Sequence, residues 1–114
     1  MRYAVLIYEK PGAYDPFSDD ERGAVSAEYA ELARDARVVG GAQLQGVETA
    51  TTVRVDNERS LVTDGPFADT KEVFGGFYLL EADNLDAALD FAERIPAARL
   101  GGCVEVRPLV EPAP

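Results

Sequence analysis

The stretch "RYAVLIY" (residues 2–8) is apolar on both of its alternating faces. Successive side chains of an extended chain point to opposite sides, so Tyr3, Val5 and Ile7 face one way and Ala4, Leu6 and Tyr8 the other. Such a strand belongs in the middle of a sheet with both surfaces covered. Its counterpart is "GGFYLLEA" (75–82), where Phe77 and Leu79 oppose Tyr78 and Leu80. Gly75-Gly76 marks a bulge at the start of that second strand.

The elements between and around these strands complete the pattern. "SDDERGAVSAEYAELARDARVVGG" (18–41) predicts a helix that opens on a Ser18–Glu21 capping box and ends at Gly40-Gly41. Val25, Tyr29, Leu32 and Ala36 form its inward stripe. "AQLQGVE" (42–48) and "TTVRVDN" (51–57) read as strands, with a tight turn at Asn57-Glu58 before "SLVT" (60–63). Asp83 or Asn84 caps a second helix with Leu85, Ala88, Leu89 and Ala92 inward, stopped by Pro96. "GCVEVRPL" (102–109) is the last strand. The order is β-α-β-β-β-β-α-β. Without one short hairpin it becomes βαββαβ, the ferredoxin-like α+β unit, an antiparallel sheet with two helices on one face. Residues 1–109 form one domain and 110–114 a C-terminal tail. The sheet's second face is apolar and needs a cover. A second copy of the chain is the economical one, giving a homodimer, and a long loop folded over the sheet is the alternative.

Composition narrows the function. The chain of 114 residues carries a net charge of −10, from 21 acidic against 11 basic residues. That charge repels phosphate backbones and anionic lipid, so neither nucleic acid nor membrane is an expected partner. The N-terminal apolar run is too short for a signal peptide or a span. Cys103 is alone and cannot form an internal disulfide, so the expected location is cytoplasmic and the thiol is read as a small buried hydrophobe. The absence of His removes Ser–His and Cys–His dyads and imidazole zinc sites. Asp15, Asp19 and Asp20 lack the spacing of a calcium loop, and Gly40-Gly41 and Gly101-Gly102 read as turns, not phosphate cradles. The expectation is a site without metal or cofactor.

"VTDGPFADTKE" (62–72) is richer than a turn requires. Asp64 is the first site candidate. It either acts as general acid or base at a cleft, or accepts backbone N–H bonds to fix the Gly65-Pro66 turn. Phe67 is expected to plug and anchor the loop. Lys71 and Glu72 are adjacent, so one of them points inward. Lys71 could neutralise a ligand carboxylate and Glu72 could be the second acid-base group; otherwise they are a solvated charge pair. On the last strand Glu105 and Arg107 project to the open face. Arg107 pairs there either with Glu105 or with an anionic substrate. Tyr8 and Tyr78 either line the cleft or sit in the core. The ligand expected of this set is small and anionic or aromatic.

"ATTVRV" (50–55), "VTDGPFADTKE", "GGFYLLEA", "LDAALDFAERIPAAR" (85–99) and "VEVRPL" (104–109) together resemble the DGPF subgroup of the YCII-related domain family. The resemblance runs from "MRYAVLIY" to Leu109. It implies a dimeric α+β barrel built from ferredoxin-like domains, with a cleft between protomers. The wider family is thought to use a His–Asp pair, which this His-free chain cannot supply. Chloro-aromatic dehydrochlorinases and muconolactone-isomerase-like folds are relatives of the architecture, which implies cofactor-free proton transfer of isomerase or lyase type. Neighbourhood with extracytoplasmic-function sigma factors implies the alternative, a non-catalytic regulatory module that binds a protein partner such as a sigma factor.

Overall fold

The computed structural model describes residues 1–67 and 70–111. Its elements are β1 (Arg2–Glu9), α1 (Asp19–Ala33), β2 (Val38–Gln43), β3 (Thr51–Asp56), β4 (Arg59–Asp64), β5 (Val73–Glu81), α2 (Leu85–Glu93), α3 (Pro96–Arg99) and β6 (Cys103–Pro108), with a 3₁₀ turn at Val47–Thr49. Four strands form an antiparallel sheet in the order β2-β5-β1-β6. Strands β3 and β4 pair only with each other. This is the ferredoxin-like α+β fold expected from the sequence, with the extra hairpin set aside as its own two-stranded sheet. Of the predicted tail, residues 112–114 lie outside the described residues.

The two strands that are apolar on both faces are the central pair. Tyr3, Val5 and Ile7 of β1 and Leu80 of β5 are buried with Leu32 of α1 and Ala88, Phe91 and Ala92 of α2. Ala4, Leu6, Tyr8, Phe77 and Leu79 are half-buried on the opposite, open face. The bulge falls where the glycine pair placed it. Ile7 pairs with Gly76 and Tyr8 with Phe74, so Gly75 is the extra residue. At the hairpin tip Asn57 and Glu58 take φ of 48° and 64°, the left-handed pair of a tight two-residue turn.

The first helix departs from the expected boundaries. Ser18 and Glu21 form the capping box at its start, but it stops at Ala33 with Arg34 as C-cap, not at Gly40-Gly41. Asp35 explains the stop. Its carboxylate accepts the backbone N–H of Arg37 at 2.9 Å and grips the Arg37 guanidinium at 3.0 and 2.8 Å, a local alternative to helical pairing. Arg94, the C-cap of α2, reaches the same carboxylate at 3.3 Å. Past that point the β-branched Val38 and Val39 start β2, so Gly40 and Gly41 are strand residues and not a turn. The strand expected at 42–48 is thus displaced toward the N-terminus, and Ala36 is exposed. In α2 the inward stripe is Ala88, Phe91 and Ala92, while Leu85 and Leu89 are 48% and 40% exposed. Phe91 wins because it meets Tyr78 edge-on at 5.5 Å beneath the Arg37 and Arg94 guanidiniums.

Candidate functional site

Helix α1 buries little of its surface. Its stripe is thin: Leu32 is buried, and Val25 and Tyr29 only half so. The neighbouring face carries Ser26, Ala30 and Ala33, three small residues one helical turn apart. Across from them β2 and β5 present glycines. A Cβ on Gly41, whose φ is +149°, would stand 2.5 Å from the Phe77 carbonyl oxygen, and one on Gly76 would stand 2.8 Å from that of Ala42. Both positions therefore stay bare, because a side chain there would push β2 off β5. Small roof and bare floor leave a cavity of about 640 Å³ between α1 and the sheet, of the size that holds a small molecule. Ile7, Val38 and the Tyr29 and Tyr78 side chains make its walls mostly apolar.

One charged side chain lines this cavity among the described residues, Glu9 at the end of β1. The Gly75 bulge makes room for it. A Cβ at Gly75 would stand 3.0 Å from Glu9 Oε2. The other carboxylate oxygen, Oε1, accepts the hydroxyl of Tyr14 at 3.2 Å. Tyr14 sits in the loop before α1, a loop pinned from the helix by Arg22, whose Nε and Nη2 donate to the Tyr14 carbonyl at 3.2 and 3.1 Å. A second cavity, about 520 Å³, is lined by Tyr14, runs toward Leu44, Val47 and Phe74, and shares Glu9, Ser26, Tyr29, Gln43 and Gly75 with the first.

The tyrosines are electrostatically tied to this carboxylate. Burial raises the Tyr14 pKa, and the Glu9 charge raises it further. Burial also raises that of Tyr29 well above the ordinary phenol range, with Tyr14 the next contributor. The Tyr29 hydroxyl is sealed from solvent and makes no hydrogen bond of good geometry among the described residues, although the Tyr14 hydroxyl and the Ala97 backbone lie close enough to act on its titration. Tyr78 is different. Its hydroxyl donates to the Tyr29 backbone carbonyl at 3.1 Å and so ties β5 to α1 across the cavity.

The residues singled out in the sequence are scattered over other surfaces. Asp64 ends β4 opposite Thr51, on the separate hairpin, and is exposed. Its carboxylate accepts no hydrogen bond among the described residues. The turn after it is held instead by one backbone bond and one threonine hydroxyl, with Gly65 N donating to the Ala50 carbonyl at 2.6 Å and Thr52 Oγ1 to that of Gly65 at 2.8 Å. Phe67 is no plug. It is 75% exposed, with the Arg54 guanidinium 5.7 Å from its ring centre. Lys71 is exposed and Glu72 half-buried, and Thr70 Oγ1 donates to the Glu72 carbonyl. Arg107 and Glu105 pair with each other at 3.5 Å on the edge strand β6. Cys103 shares their uncovered face and is exposed, not buried, because no helix lies over that side. Tyr8 lies on the open face, 5.5 Å from Phe74, whereas Tyr78 faces the helices. Asp64 and the Glu105–Arg107 pair thus lie on different sheets. Sequence reasoning passed over Glu9 and Tyr14 and took Tyr29 for core. The signal present was the Ser26-Ala30-Ala33 face, small residues where a packed helix carries large ones.

Comparison with known proteins agrees with the fold. An uncharacterized protein of Rhizobium meliloti (strain 1021) is 40% identical over 117 residues, covering 96% of this chain and 92% of that one. A solved structure, 5-chloro-2-hydroxyhydroquinone dehydrochlorinase from Burkholderia phenoliruptrix AC1100 in complex with 2,5-dihydroxybenzoquinone, superposes with a TM-score of 0.56 at 20% identity, covering 98% and 96% of the two chains. At that identity the likeness is one of fold. No helix among the described residues is long and apolar enough to cross a membrane. The YCII-related domain matches residues 1–112, and the chain belongs to that family.

Proposed function

From membership of the YCII-related domain family, we propose that this chain binds a small, mostly apolar molecule in the cavity between α1 and the sheet and carries out cofactor-free proton transfer on it. One observation carries the reading. A cavity of about 640 Å³ is kept open by glycines that cannot be replaced and is entered by a single carboxylate. The dehydrochlorinase neighbour, solved with a hydroxylated quinone, supports an aromatic ligand by analogy of fold. The working unit is a homodimer paired through the open sheet face, where Leu6, Phe77 and Leu79 are only half-buried by their own chain. In such a dimer Asp64 and Glu72 are the second acid-base candidates, acting from the hairpin side of a cleft between protomers.

A screen of neutral aromatic fragments, observed through the backbone amides, tests the reading. Shifts should cluster at Gly40, Gly41, Gly75 and Gly76, and Ala33→Phe, which fills the cavity from its roof, should abolish them. Shifts centred on Asp64, Glu105 and Arg107, unaffected by Ala33→Phe, would move the site to the open face.

A further inference from the structure

We propose that Glu9 is the proton-accepting group of the cavity, held in place by Tyr14, and that the site takes its ligand as a neutral hydroxyl compound, not as an anion. The inference rests on the cavity being the ligand site, as argued above, and it names the residue and the ligand chemistry.

Three features of geometry carry it. Glu9 brings the only charged side chain to the lining among the described residues, so a bound anion would face a carboxylate with no cation to offset it. The nearby guanidinium of Arg22 is spent on the Tyr14 and Asp15 carbonyls, and that of Arg99 on Glu28. The two carboxylate oxygens are also unequal. Oε1 takes the Tyr14 hydroxyl at 3.2 Å, which fixes the rotamer, while Oε2 lies over the bare Gly75. A side chain at position 75 would crowd that oxygen, so the bulge keeps it clear. An oxygen with no fixed donor among the described residues, at the wall of an apolar cavity, calls for a ligand O–H. Tyr14 is a positioning residue, because it acts on the ligand through Glu9. The resting complex pairs the neutral ligand with the Glu9 carboxylate, and in a transient acid-base step the ligand O–H proton moves to Glu9 Oε2. The bond electrons stay on the ligand oxygen, Glu9 becomes neutral and the ligand anionic, and return of the proton restores both.

The probe is 4-nitrophenol, whose colour reports its own protonation, added to the full chain and titrated by absorbance across neutral pH. A carboxylate beside it favours the uncharged phenol, so the bound probe should ionise about one pH unit higher than the free one, a tenfold change in the equilibrium. Glu9→Gln keeps the acceptor for Tyr14 and removes the charge. It should retain binding and lose the rise. Tyr14→Phe, which frees the carboxylate to swing, should shrink the rise without abolishing it. A merely structural Glu9 would leave the probe's titration the same in wild type and Glu9→Gln, which would overturn the inference while leaving the cavity reading intact. A probe bound preferentially as the yellow phenolate would also overturn it, by showing that a cation governs the site. A probe that binds nowhere near Gly41 and Gly76, by amide shifts, would remove the cavity reading and this inference with it.

Discussion

Replacing Tyr29 by Phe should make the protein more stable, an uncommon direction for a change in a packed region. The hydroxyl of Tyr29 is sealed from water and, with the Tyr14 hydroxyl and the Ala97 backbone as polar neighbours, makes no hydrogen bond of good geometry among the described residues. A buried hydroxyl without a partner costs about 1–3 kcal/mol relative to its hydrated state, and the phenyl ring of Phe keeps every apolar contact. Taking the low end, the gain is about 1 kcal/mol. Unfolding entropy near 60 °C is about 2.1 cal/mol/K per residue, or roughly 0.24 kcal/mol/K for this chain, so Tm should rise by about 4 °C. Two neighbours provide the opposite sign. Tyr14→Phe loses the bond to Glu9 at 3.2 Å, and Tyr78→Phe loses the bond to the Tyr29 carbonyl at 3.1 Å. Each should cost about 1 kcal/mol. Urea and thermal unfolding at one fixed protein concentration measure all three, with an unchanged m-value as the sign that the change lies in stability.

Alkaline pH provides a second axis for the same residue. Tyr29 and Tyr14 both have raised pKa values in the folded chain, chiefly from burial. The unfolded chain therefore ionises first, and stability held at neutral pH is lost as pH climbs past about 10. Tyr29→Phe should flatten that loss. A Tyr29→Phe protein destabilised by more than about 1 kcal/mol, with the alkaline limb unchanged, would refute the reasoning. It would mean that the hydroxyl holds a hydrogen bond in the unliganded protein.

Three further outcomes are expected. Phe91 is fully buried against Tyr78, and Phe91→Ala should cost about 3–5 kcal/mol, a large share of a small domain's stability, seen as a drop in the urea midpoint. The Arg37 hydrogen bonds hold the Asp35 carboxyl well below its usual range, so its contribution is present above about pH 4 and lost as pH falls; Asp35→Asn should cost roughly 1–2 kcal/mol at pH 7 and make acid unfolding less steep. Leu79→Asp on the open face should turn a homodimer into a monomer by light scattering, whereas a wild-type chain already monomeric at high concentration would remove the dimer from the proposed function.

The fold was readable wherever one residue's direction decides the outcome. Period-two alternation in Tyr3 to Tyr8 and in Phe77 to Leu80 placed β1 and β5 at the centre, where each strand has a neighbour on both edges. Ser18–Glu21 and Asn57-Glu58 act through their own backbone, so their geometry followed from identity alone. Reading failed where the outcome depends on a partner far away in sequence. Gly40-Gly41 looks like a helix stop until Asp35 is seen closing the helix onto Arg37 and β2 is seen against β5. Cys103 has the composition of a buried residue, and its exposure depends on which face the helices leave open.

The site shows this dependence most sharply. Helical spacing correctly turned Tyr29 inward, but spacing says nothing of how much volume waits across the gap. That volume is set by Gly41 and Gly76, whose bareness is forced by the approach of β2 to β5, and by Ala30 and Ala33 on the roof. Glu9 was invisible for the same reason. At the end of an apolar strand a carboxylate reads as the point where the chain leaves the sheet. Only the Gly75 bulge, one strand over, keeps its outer oxygen clear beside a cavity. "DGPF" drew attention because its residues are chemically loud, yet its Asp64 stands on an exposed hairpin. The cavity is written in what is missing on two facing elements: a helix face of Ser and Ala, and a sheet floor of Gly. Where those two absences coincide in a ferredoxin-like unit, the carboxylate that ends the central strand is the residue to mutate.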